Sequence, residues 1–380
     1  MRQPARSPAV PEGSTNAAYF SRFGGFWIDR SDAVRVLEEK LASGWLTAAE
    51  ALLFREWHRQ GYVVLEKAVA PDVIDQINAD CRRFWSGQDP RLRAVESGSG
   101  KHVPPTPALW ATPGCRLLDI YFYSAAAREA IFSAPIVRFL NLLFERDLLA
   151  FQSLTFEQGS QQGIHQDTAY VVVSSPLEMA ASWIALEDVQ PGAGELSYYE
   201  GSHRLPEFLF GETRREWNPE IDGPEQHAQF SLDLHTNAKK MGLPLRQFGA
   251  KKGDVLIWHA DLAHGGAAIT HVNPQVTRRS LVTHYCPYDV EPRYFQAAPN
   301  HRARTRFAKN CYYGSWDYLA ADRLPASSAP TTEPRSSILS PVDHVFEKIK
   351  PVLEPFLPAF VRAAGNRLAA VVRGQPRRRQ

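Results

Sequence analysis

Residues 163–170 read Gly-Ile-His-Gln-Asp-Thr-Ala-Tyr, and three valines follow them. This β-branched run favours a β-strand over a helix. On a strand, His165 and Asp167 would lie on one face, about 6.6 Å apart along the axis, so both side chains can reach one ion. A second histidine, His264, follows in the sequence Leu-Ala-His-Gly-Gly. Two histidines and one carboxylate that leave coordination positions open are the facial set that suits non-haem Fe(II).

The His-x-Asp pair alone is weak evidence, because such a tripeptide also occurs by chance. The alternative interpretation is a surface strand on which both side chains are merely solvated. The rest of the chain decides between these interpretations.

The composition is that of a globular protein with a sizeable core, with 44% hydrophobic and 11% aromatic residues in a chain of 380. Lys+Arg 43 against Asp+Glu 41 leaves a net charge of +2, which argues against a nucleic-acid partner. The four cysteines are scattered without a Cys-x-x-Cys pair, so neither a zinc knuckle nor a disulfide scaffold is expected. With no apolar signal-like or membrane-spanning run, the sequence predicts a cytoplasmic protein.

The pattern predicts helices first and closely spaced strands afterwards. A capping box, Thr47 to Glu50, starts one helix that Gly61 ends, and residues 71–85 and 125–144 are also predicted to be helical. Residues 89–113 are expected to form a long loop. Strands are predicted at residues 61–65, 148–156, 181–186, 195–199, 254–259 and 278–285. This order indicates an α+β fold with a mainly β core, an antiparallel barrel or sandwich with helices packed outside.

The strands resemble the double-stranded β-helix, a jelly-roll or cupin-like barrel, of the Fe(II)/2-oxoglutarate oxygenases, and specifically the phytanoyl-CoA dioxygenase-like (PhyH) family. The resemblance covers residues 50–290. It is carried by Gly61-Tyr62-Val63-Val64, His165-Gln166-Asp167, Trp183 before Ala185-Leu186-Glu187-Asp188, Gly194, Gly201-Ser202-His203-Arg204, Gly253-Asp254-Val255, His264-Gly265 and Arg278-Arg279-Ser280.

The resemblance implies that His165, Asp167 and His264 are the iron ligands. His259, at the end of a predicted strand, is the rival for the third position. The resemblance also implies that Arg278, with Ser280 on the same strand face, binds the distal carboxylate of 2-oxoglutarate, since arginine can donate two parallel hydrogen bonds.

Further side chains are assigned to the surroundings of this site. Because the interval from His264 to Arg278 is longer than usual in the family, Arg279 remains an alternative to Arg278 as the carboxylate ligand. Trp183 is expected to flank the iron pocket or to be a core aromatic. Gln152 is expected to orient the oxo-acid or to serve only in strand pairing. Ser202 and His203 are interpreted as a structural turn, because they lack an acid partner and a nucleophile elbow.

The implied activity is a 2-oxoglutarate-dependent dioxygenase that uses O2 to hydroxylate an unactivated C–H of a small-molecule or lipid-like substrate, with release of succinate and CO2. The carboxylate of Asp167 favours hydroxylation over halogenation. One alternative is a barrel of the same fold that binds or senses a ligand without turnover. Another is a zinc hydrolase of cupin-like shape, for which no general base is evident.

The predicted domain organisation has four parts, one of which contains an insertion. Residues 1–18 are expected to be disordered, and residues 19–322 to form the dioxygenase domain, with a lid insertion at residues 205–252 whose histidines are read as surface residues. Residues 323–341 are a Pro/Ser/Thr-rich linker. Residues 342–380 form an amphipathic basic tail, for which contact with an anionic membrane and packing against the barrel or a second subunit of a homodimer are both open.

Overall fold

The computed structural model describes residues 18–89, 91–273, 275–293 and 304–315. The helices described are α1 (Ala33–Ala42), α2 (Ala48–Gln60), α3 (Pro71–Trp85), α4 (Pro107–Trp110), α5 (Ala125–Ile131), α6 (Ala134–Phe144) and α7 (Gly223–Lys240). The strands described are β1 (Tyr62–Leu65), β2 (Ala94–Val95), β3 (His102–Val103), β4 (Arg116–Leu118), β5 (Leu148–Phe156), β6 (Ala180–Ala185), β7 (Leu196–Tyr199), β8 (Leu245–Phe248), β9 (Val255–His259), β10 (His264–Gly266), β11 (Ser280–Pro287), β12 (Thr305–Ala308) and β13 (Cys311–Tyr313).

Local sequence signals set the ends of α2. The hydroxyl of Thr47 accepts a hydrogen bond from the backbone N–H of Glu50, whose carboxylate accepts one from the N–H of Thr47. These two bonds satisfy backbone donors that the first turn leaves free. Gly61 ends the helix with φ 81°, a left-handed conformation that glycine adopts without strain. The predicted capping box and helix end are confirmed.

The larger of the two sheets has the strand order β1-β9-β6-β11-β5-β4-β2-β3, with β13 also pairing with β5. All of its pairs are antiparallel except β13 with β5. The smaller sheet has the order β10-β7-β8. The two sheets face each other across a hydrophobic cluster that includes Trp183 and Trp258 from the larger sheet and Leu196 and Tyr198 from the smaller one. The fold is a double-stranded β-helix, as predicted.

The outer face of the larger sheet is covered by helices. Side chains from α2, α3 and α6 pack there in one core cluster; Trp57 and Ile74 are fully buried, and Phe139 is nearly so. Burial of such aromatic and aliphatic side chains contributes roughly 1.5–3 kcal/mol each to the free energy of unfolding. The helices therefore brace the sheet from outside and leave its inner face to the site.

Some predicted elements differ from the structure. Residues 89–113 are not one long loop, because β2 and β3 pair with each other and the short helix α4 follows. The helical region at residues 125–144 is two helices, separated at Phe132 and Ser133. The four cysteines are buried and form no disulfide bond with one another.

The predictions for residues 1–17, the linker at 323–341 and the tail at 342–380 lie outside the described residues. Within the described ranges, no helix has both the length and the apolar character needed to cross a bilayer. The proposed membrane contact and the homodimer stay predictions.

Candidate metal and cosubstrate site

His165, Asp167 and His264 converge inside the barrel, and their ligand atoms all lie within 4.8 Å of one another. Oδ1 of Asp167 is 3.8 Å from Nε2 of His165 and 3.7 Å from Nε2 of His264. All three residues are buried. This is the one group of three or more His, Cys, Asp or Glu residues with metal-binding geometry in the described part of the chain.

The backbone places the two histidines beside each other. The backbone N–H of each donates to the carbonyl oxygen of the other, both at 2.8 Å. Nδ1 of His165 lies 2.8 Å from the carbonyl of Gly163, and Nδ1 of His264 lies 2.9 Å from the carbonyl of Leu262. A proton held on Nδ1 by a carbonyl leaves the lone pair of Nε2 free for a metal ion.

The predicted strand at residues 163–170 is wrong. Only His165 makes a β-bridge, Gln166 is extended, and Asp167–Ala169 is a 3-10 helix. The turn forms because Thr168 donates a hydrogen bond to Asp261 at 2.6 Å and the N–H groups of Tyr170 and Val171 bond to the carbonyl of Asp167. Asp167 still reaches the histidines, but through this turn rather than through strand alternation.

Gly265 permits the close approach of the two ligand-bearing segments. A Cβ added at this position would lie 2.6 Å from the carbonyl oxygen of Gln162 and 2.9 Å from that of Gly163. Ser202 supports the same segment, because its hydroxyl accepts a hydrogen bond from the N–H of Ala263 at 2.8 Å. Residues 202–204 form a 3-10 turn after Gly201, so the structural interpretation of this motif is confirmed.

Asp261 joins the two ligand-bearing segments and was not found from the sequence. Its carboxylate accepts hydrogen bonds at 2.6 Å from both Thr168 and Arg215, and its carbonyl accepts one at 2.7 Å from the side chain of Gln166. The side chains of Arg215 and Asp261 are only 3% and 7% exposed. Arg215 thereby connects the insertion at residues 205–252 to both segments. No local sequence pattern predicts this contact.

The protonation states of the site residues favour the binding of a cation. Burial alone would raise the pKa of Asp167, but His264, His284 and His165 outweigh it and hold that pKa below its ordinary value. Burial lowers the pKa of His264 to about 4. At neutral pH the site therefore presents a carboxylate and a neutral imidazole, which are the forms that bind a metal ion.

The second carboxylate oxygen of Asp167 faces away from the two ligand histidines. Oδ2 accepts a hydrogen bond from Nε1 of Trp258 at 2.8 Å and lies 3.4 Å from Nε2 of His284. His284 was not singled out from the sequence. It lies six residues after Arg278, so strand alternation would have placed it on the same inward face.

Arg278 lies at the other end of the interior and is 3% exposed. Its Nε donates to the carbonyl of Gly194 at 2.9 Å and its Nη1 to the hydroxyl of Ser280 at 2.8 Å. Nη2 makes no hydrogen bond to any residue of the described ranges. Burial lowers the pKa of Arg278 to about 10, so the guanidinium is charged at neutral pH. A buried cation with a free donor fits an anionic ligand.

The neighbours of Arg278 separate the sequence alternatives. Nε of Arg279 is 2.8 Å from Oε1 of Glu157, so Arg279 is already paired with an acid. The ring of Trp183 is 5.5 Å from the guanidinium carbon of Arg278, which puts this core aromatic beside the arginine. Gln152 pairs with His284 across β5 and β11, and its side chain therefore shares the inward face.

His259 is excluded from the cluster by its own contacts. Its Nε2 lies 3.6 Å from Oδ2 of Asp29, and its Nδ1 accepts a hydrogen bond from the N–H of Asp261 at 3.0 Å. Both ring nitrogens are thus engaged away from Asp167. Of the two rival histidines, the structure brings His264 into the metal cluster.

The insertion at residues 205–252 contains α7 and β8 and packs over the metal ligands. Nε2 of His227 on α7 lies 2.5 Å from the hydroxyl of Tyr170, whose ring contacts that of His165 with centroids 5.5 Å apart. His227 is 4% exposed, so its interpretation as a surface residue is wrong. Burial, with a contribution from His165, lowers the pKa of His227 to about 4. His235 does lie at the surface.

The residues present fit Fe(II) and an oxo-acid. Two imidazoles and one carboxylate supply three ligands on one side of an ion and leave positions open. A charged arginine with a free donor is available in the same interior. The three ligands would hold the metal ion, and the arginine would bind the distal carboxylate of 2-oxoglutarate.

The chain was compared with known proteins. The solved structures that resemble the chain include the non-haem alpha ketoglutarate dependent epimerase SnoN from nogalamycin biosynthesis, at 18% identity over 70% of this chain and 98% of that one, with TM-score 0.48. They also include EctD from S. alaskensis with bound Fe, at 18% identity over 64% and 77%, with TM-score 0.44. The activity and ligand in these names belong to those proteins. No curated protein matches the chain.

A family model does match. The model described as phytanoyl-CoA dioxygenase (PhyH) covers residues 57–275, more than half of the chain, and includes His165, Asp167 and His264. Arg278 lies just beyond the matched range, so its assignment rests on the geometry above. The chain belongs to the phytanoyl-CoA dioxygenase (PhyH) family, whose cofactors are Fe(II) and the cosubstrate 2-oxoglutarate.

Proposed function

We propose that the protein is an Fe(II)/2-oxoglutarate-dependent dioxygenase that hydroxylates an unactivated C–H bond of a small-molecule or lipid-like substrate, releasing succinate and CO2. One observation carries the proposal. The buried His165–Asp167–His264 cluster lies in the interior of one barrel with the buried cation Arg278, whose Nη2 donates to no residue of the described ranges. A metal site alone would fit many proteins, whereas a metal site with an enclosed arginine fits a bidentate oxo-acid.

Each residue has a defined role in this proposal. His165 and His264 offer Nε2 to the metal, and Asp167 offers Oδ1. Arg278 binds the distal carboxylate of the oxo-acid, and Ser280 orients the guanidinium through the bond to Nη1. When bound, Fe(II) supplies the oxidising chemistry with O2. The chain contributes orientation and exclusion of water.

The insertion at residues 205–252 closes the proposed substrate side. Its aromatic cluster with Phe210, Trp217 and Phe230 is almost fully buried. The Tyr170–His227 pair links this cluster to the metal ligand His165. The cluster therefore anchors the insertion beside the metal ligands, where it helps to exclude water from the site.

The test is an anaerobic titration of purified protein with Fe(II) and then 2-oxoglutarate, followed by visible absorption. We expect the weak charge-transfer band of the metal–oxo-acid chelate in the wild type. The band should vanish in His264→Ala and should need far more oxo-acid in Arg278→Ala. His259→Ala is the matched control, because it removes a buried histidine outside the cluster and should keep the band.

Two outcomes would contradict the proposal. Wild-type protein that binds metal without giving the band would indicate a binding or hydrolytic barrel. A band lost in His259→Ala but kept in His264→Ala would show that the wrong histidine is assigned. Succinate release in air then tests turnover, since a barrel that only binds the oxo-acid releases none.

A further inference from the structure

His284 is a buried histidine beside the metal cluster that the proposed mechanism does not use. It is 3% exposed, and neither ring nitrogen has a hydrogen-bond partner among the described residues. Its Nε2 lies 3.4 Å from Oδ2 of Asp167. A buried polar group left without a hydrogen-bond partner is destabilising, so the presence of His284 here calls for a compensating role.

The strand register explains why His284 can reach Asp167. His284 on β11 pairs with Ala181 on β6, and Ala181 pairs with Trp258 on β9. The three side chains form one row across neighbouring strands and share a face, because directly paired residues point the same way. Strands lie about 4.8 Å apart, so two large side chains flank a slot roughly 9–10 Å wide whose floor is a methyl group.

The carboxylate of Asp167 occupies this slot. Oδ2 accepts the hydrogen bond of Trp258 at 2.8 Å from one side and meets His284 from the other. Oδ1 faces His165 and His264 at 3.8 and 3.7 Å. Oδ2 therefore lies among side chains of the larger sheet, whereas Oδ1 lies beside the two ligand histidines.

We propose that His284, Ala181 and Trp258 form a seat for the Asp167 carboxylate, in which His284 is a positioning residue that holds Oδ2 and leaves Oδ1 as the sole oxygen offered to the metal. This inference rests on the proposed function. With a proton on Nε2, His284 can donate to Oδ2, which lies 3.4 Å away.

The first experiment measures metal binding by the full-length apoprotein, with Co(II) as the probe. We expect His284→Ala to weaken Co(II) binding by about 10- to 100-fold, as is typical when an outer-shell contact to a ligand is removed. The d–d absorption of bound Co(II) should also change, because a freed carboxylate can bind through both oxygens. His284→Gln keeps a donor of similar reach and should recover most of the affinity and the wild-type spectrum. His102→Ala, at an exposed histidine on the sheet-edge strand β3, is the control.

The second experiment fills the slot instead of removing a donor. Ala181→Val adds two methyl groups to the floor beneath the carboxylate and should perturb the Co(II) spectrum as His284→Ala does. Ala180→Val is the matched control, because Ala180 is equally buried on the same strand but belongs to the helix-side core. It should lower the free energy of unfolding without moving the spectrum.

The results separate this inference from the proposed function. Unchanged Co(II) affinity and spectrum in folded His284→Ala and Ala181→Val, with a normal oxo-acid band in the wild type, would overturn the seat alone. Failure of the wild type to give that band would overturn the proposed function first. If His284→Ala does not fold, His284→Gln and Ala181→Val decide: wild-type spectra in both refute the seat, and an altered spectrum in Ala181→Val supports it.

Discussion

The metal end and the oxo-acid end of the site are built in different ways. At the metal end, His165 makes an isolated bridge, Asp167 starts a 3-10 helix and His264 opens the three-residue strand β10. At the oxo-acid end, Ser280 opens the eight-residue strand β11 two residues after Arg278, whose backbone N–H donates to the carbonyl of Glu157 at 3.0 Å, and Trp183 lies within β6 in the larger sheet. The metal ligands depend on contacts between irregular segments, whereas the oxo-acid residues lie on strands of the larger sheet or within two residues of one.

This difference predicts which substitutions act at a distance. Metal binding should be sensitive to changes in backbone contacts and buried ion pairs that touch no ligand. Oxo-acid binding should respond chiefly to the arginine itself, because the hydrogen-bonded sheet holds its strand in place.

The largest expected effect is that of Gly265→Ala. The new methyl group would lie 2.6 Å from the carbonyl oxygen of Gln162, so the segments that carry His165 and His264 must move apart. We expect metal affinity to fall by about 100-fold or more, beyond the usual loss for an outer-shell contact. Isothermal titration with Co(II) measures it. Gly249→Ala is the control, since a methyl group there meets nothing within 4 Å; equal affinities in both variants would refute the close-approach argument.

The next effect is that of Asp261→Asn on stability. Loss of the carboxylate charge leaves the buried guanidinium of Arg215 without its ion-pair partner, which typically costs about 3–5 kcal/mol. Urea unfolding should show this loss, together with weaker metal binding. Glu39→Gln, which makes the same chemical change in the exposed ion pair with Arg35, should cost less than about 1 kcal/mol. Similar losses in the two variants would contradict the role given to Asp261.

At the oxo-acid end, Arg278→Ala should weaken 2-oxoglutarate binding by about 10- to 100-fold, since hydrogen bonds to charged groups contribute about 1.5–3 kcal/mol. Metal affinity should stay unchanged. Arg279→Ala should leave oxo-acid binding intact, because Arg279 is paired with Glu157. Titration of the metal-loaded protein with oxo-acid, followed by the chelate band, distinguishes the two. A larger loss in Arg279→Ala would reverse the assignment.

The smallest expected effect is a pH dependence of the free energy of unfolding. It comes from the Asp29–His259 pair, where the larger sheet meets the metal end. Asp29 and other carboxylates outweigh burial and raise the pKa of His259, while His259 outweighs burial and lowers the pKa of Asp29. The raised pKa of His259 stabilises the fold fully below pH about 6.5, the ordinary pKa of histidine. This contribution is lost as the pH rises through the raised pKa of the folded protein. The lowered pKa of Asp29 stabilises the fold fully above pH about 3.8, the ordinary pKa of this carboxyl group. This contribution is lost as the pH falls through the lowered pKa of the folded protein.

Urea unfolding of wild type and Asp29→Asn at several pH values tests this pair. We expect the wild type to be the more stable near pH 6, with a difference that shrinks as the pH rises to 9. A difference that is constant or grows over this range would show that the Asp29–His259 pair does not titrate as described.

Much of the site could be predicted from the sequence. Arg278 and Ser280 were placed together because residues two apart on a strand share a face, a rule that the long sheet obeys. The helix at Ala48–Gln60 was predicted from its cap and its terminal glycine, which act within one turn. His165, Asp167 and His264 were named from residue type and order along the chain, and the structure brings their ligand atoms together.

What the sequence determined by itself was therefore the residues whose roles depend on local chemistry: ligand types, turn glycines, caps and strand alternation. Tertiary structure alone decided that Asp167 starts a 3-10 helix instead of lying on a strand, and that Asp261 joins the two ligand-bearing segments. It also decided the burial of His227 and the alignment of His284, Ala181 and Trp258 across neighbouring strands. Each of these depends on contacts between segments far apart in the chain. The physical reason is that local preferences are short-ranged, whereas these contacts exist only once the two sheets and the insertion have packed together.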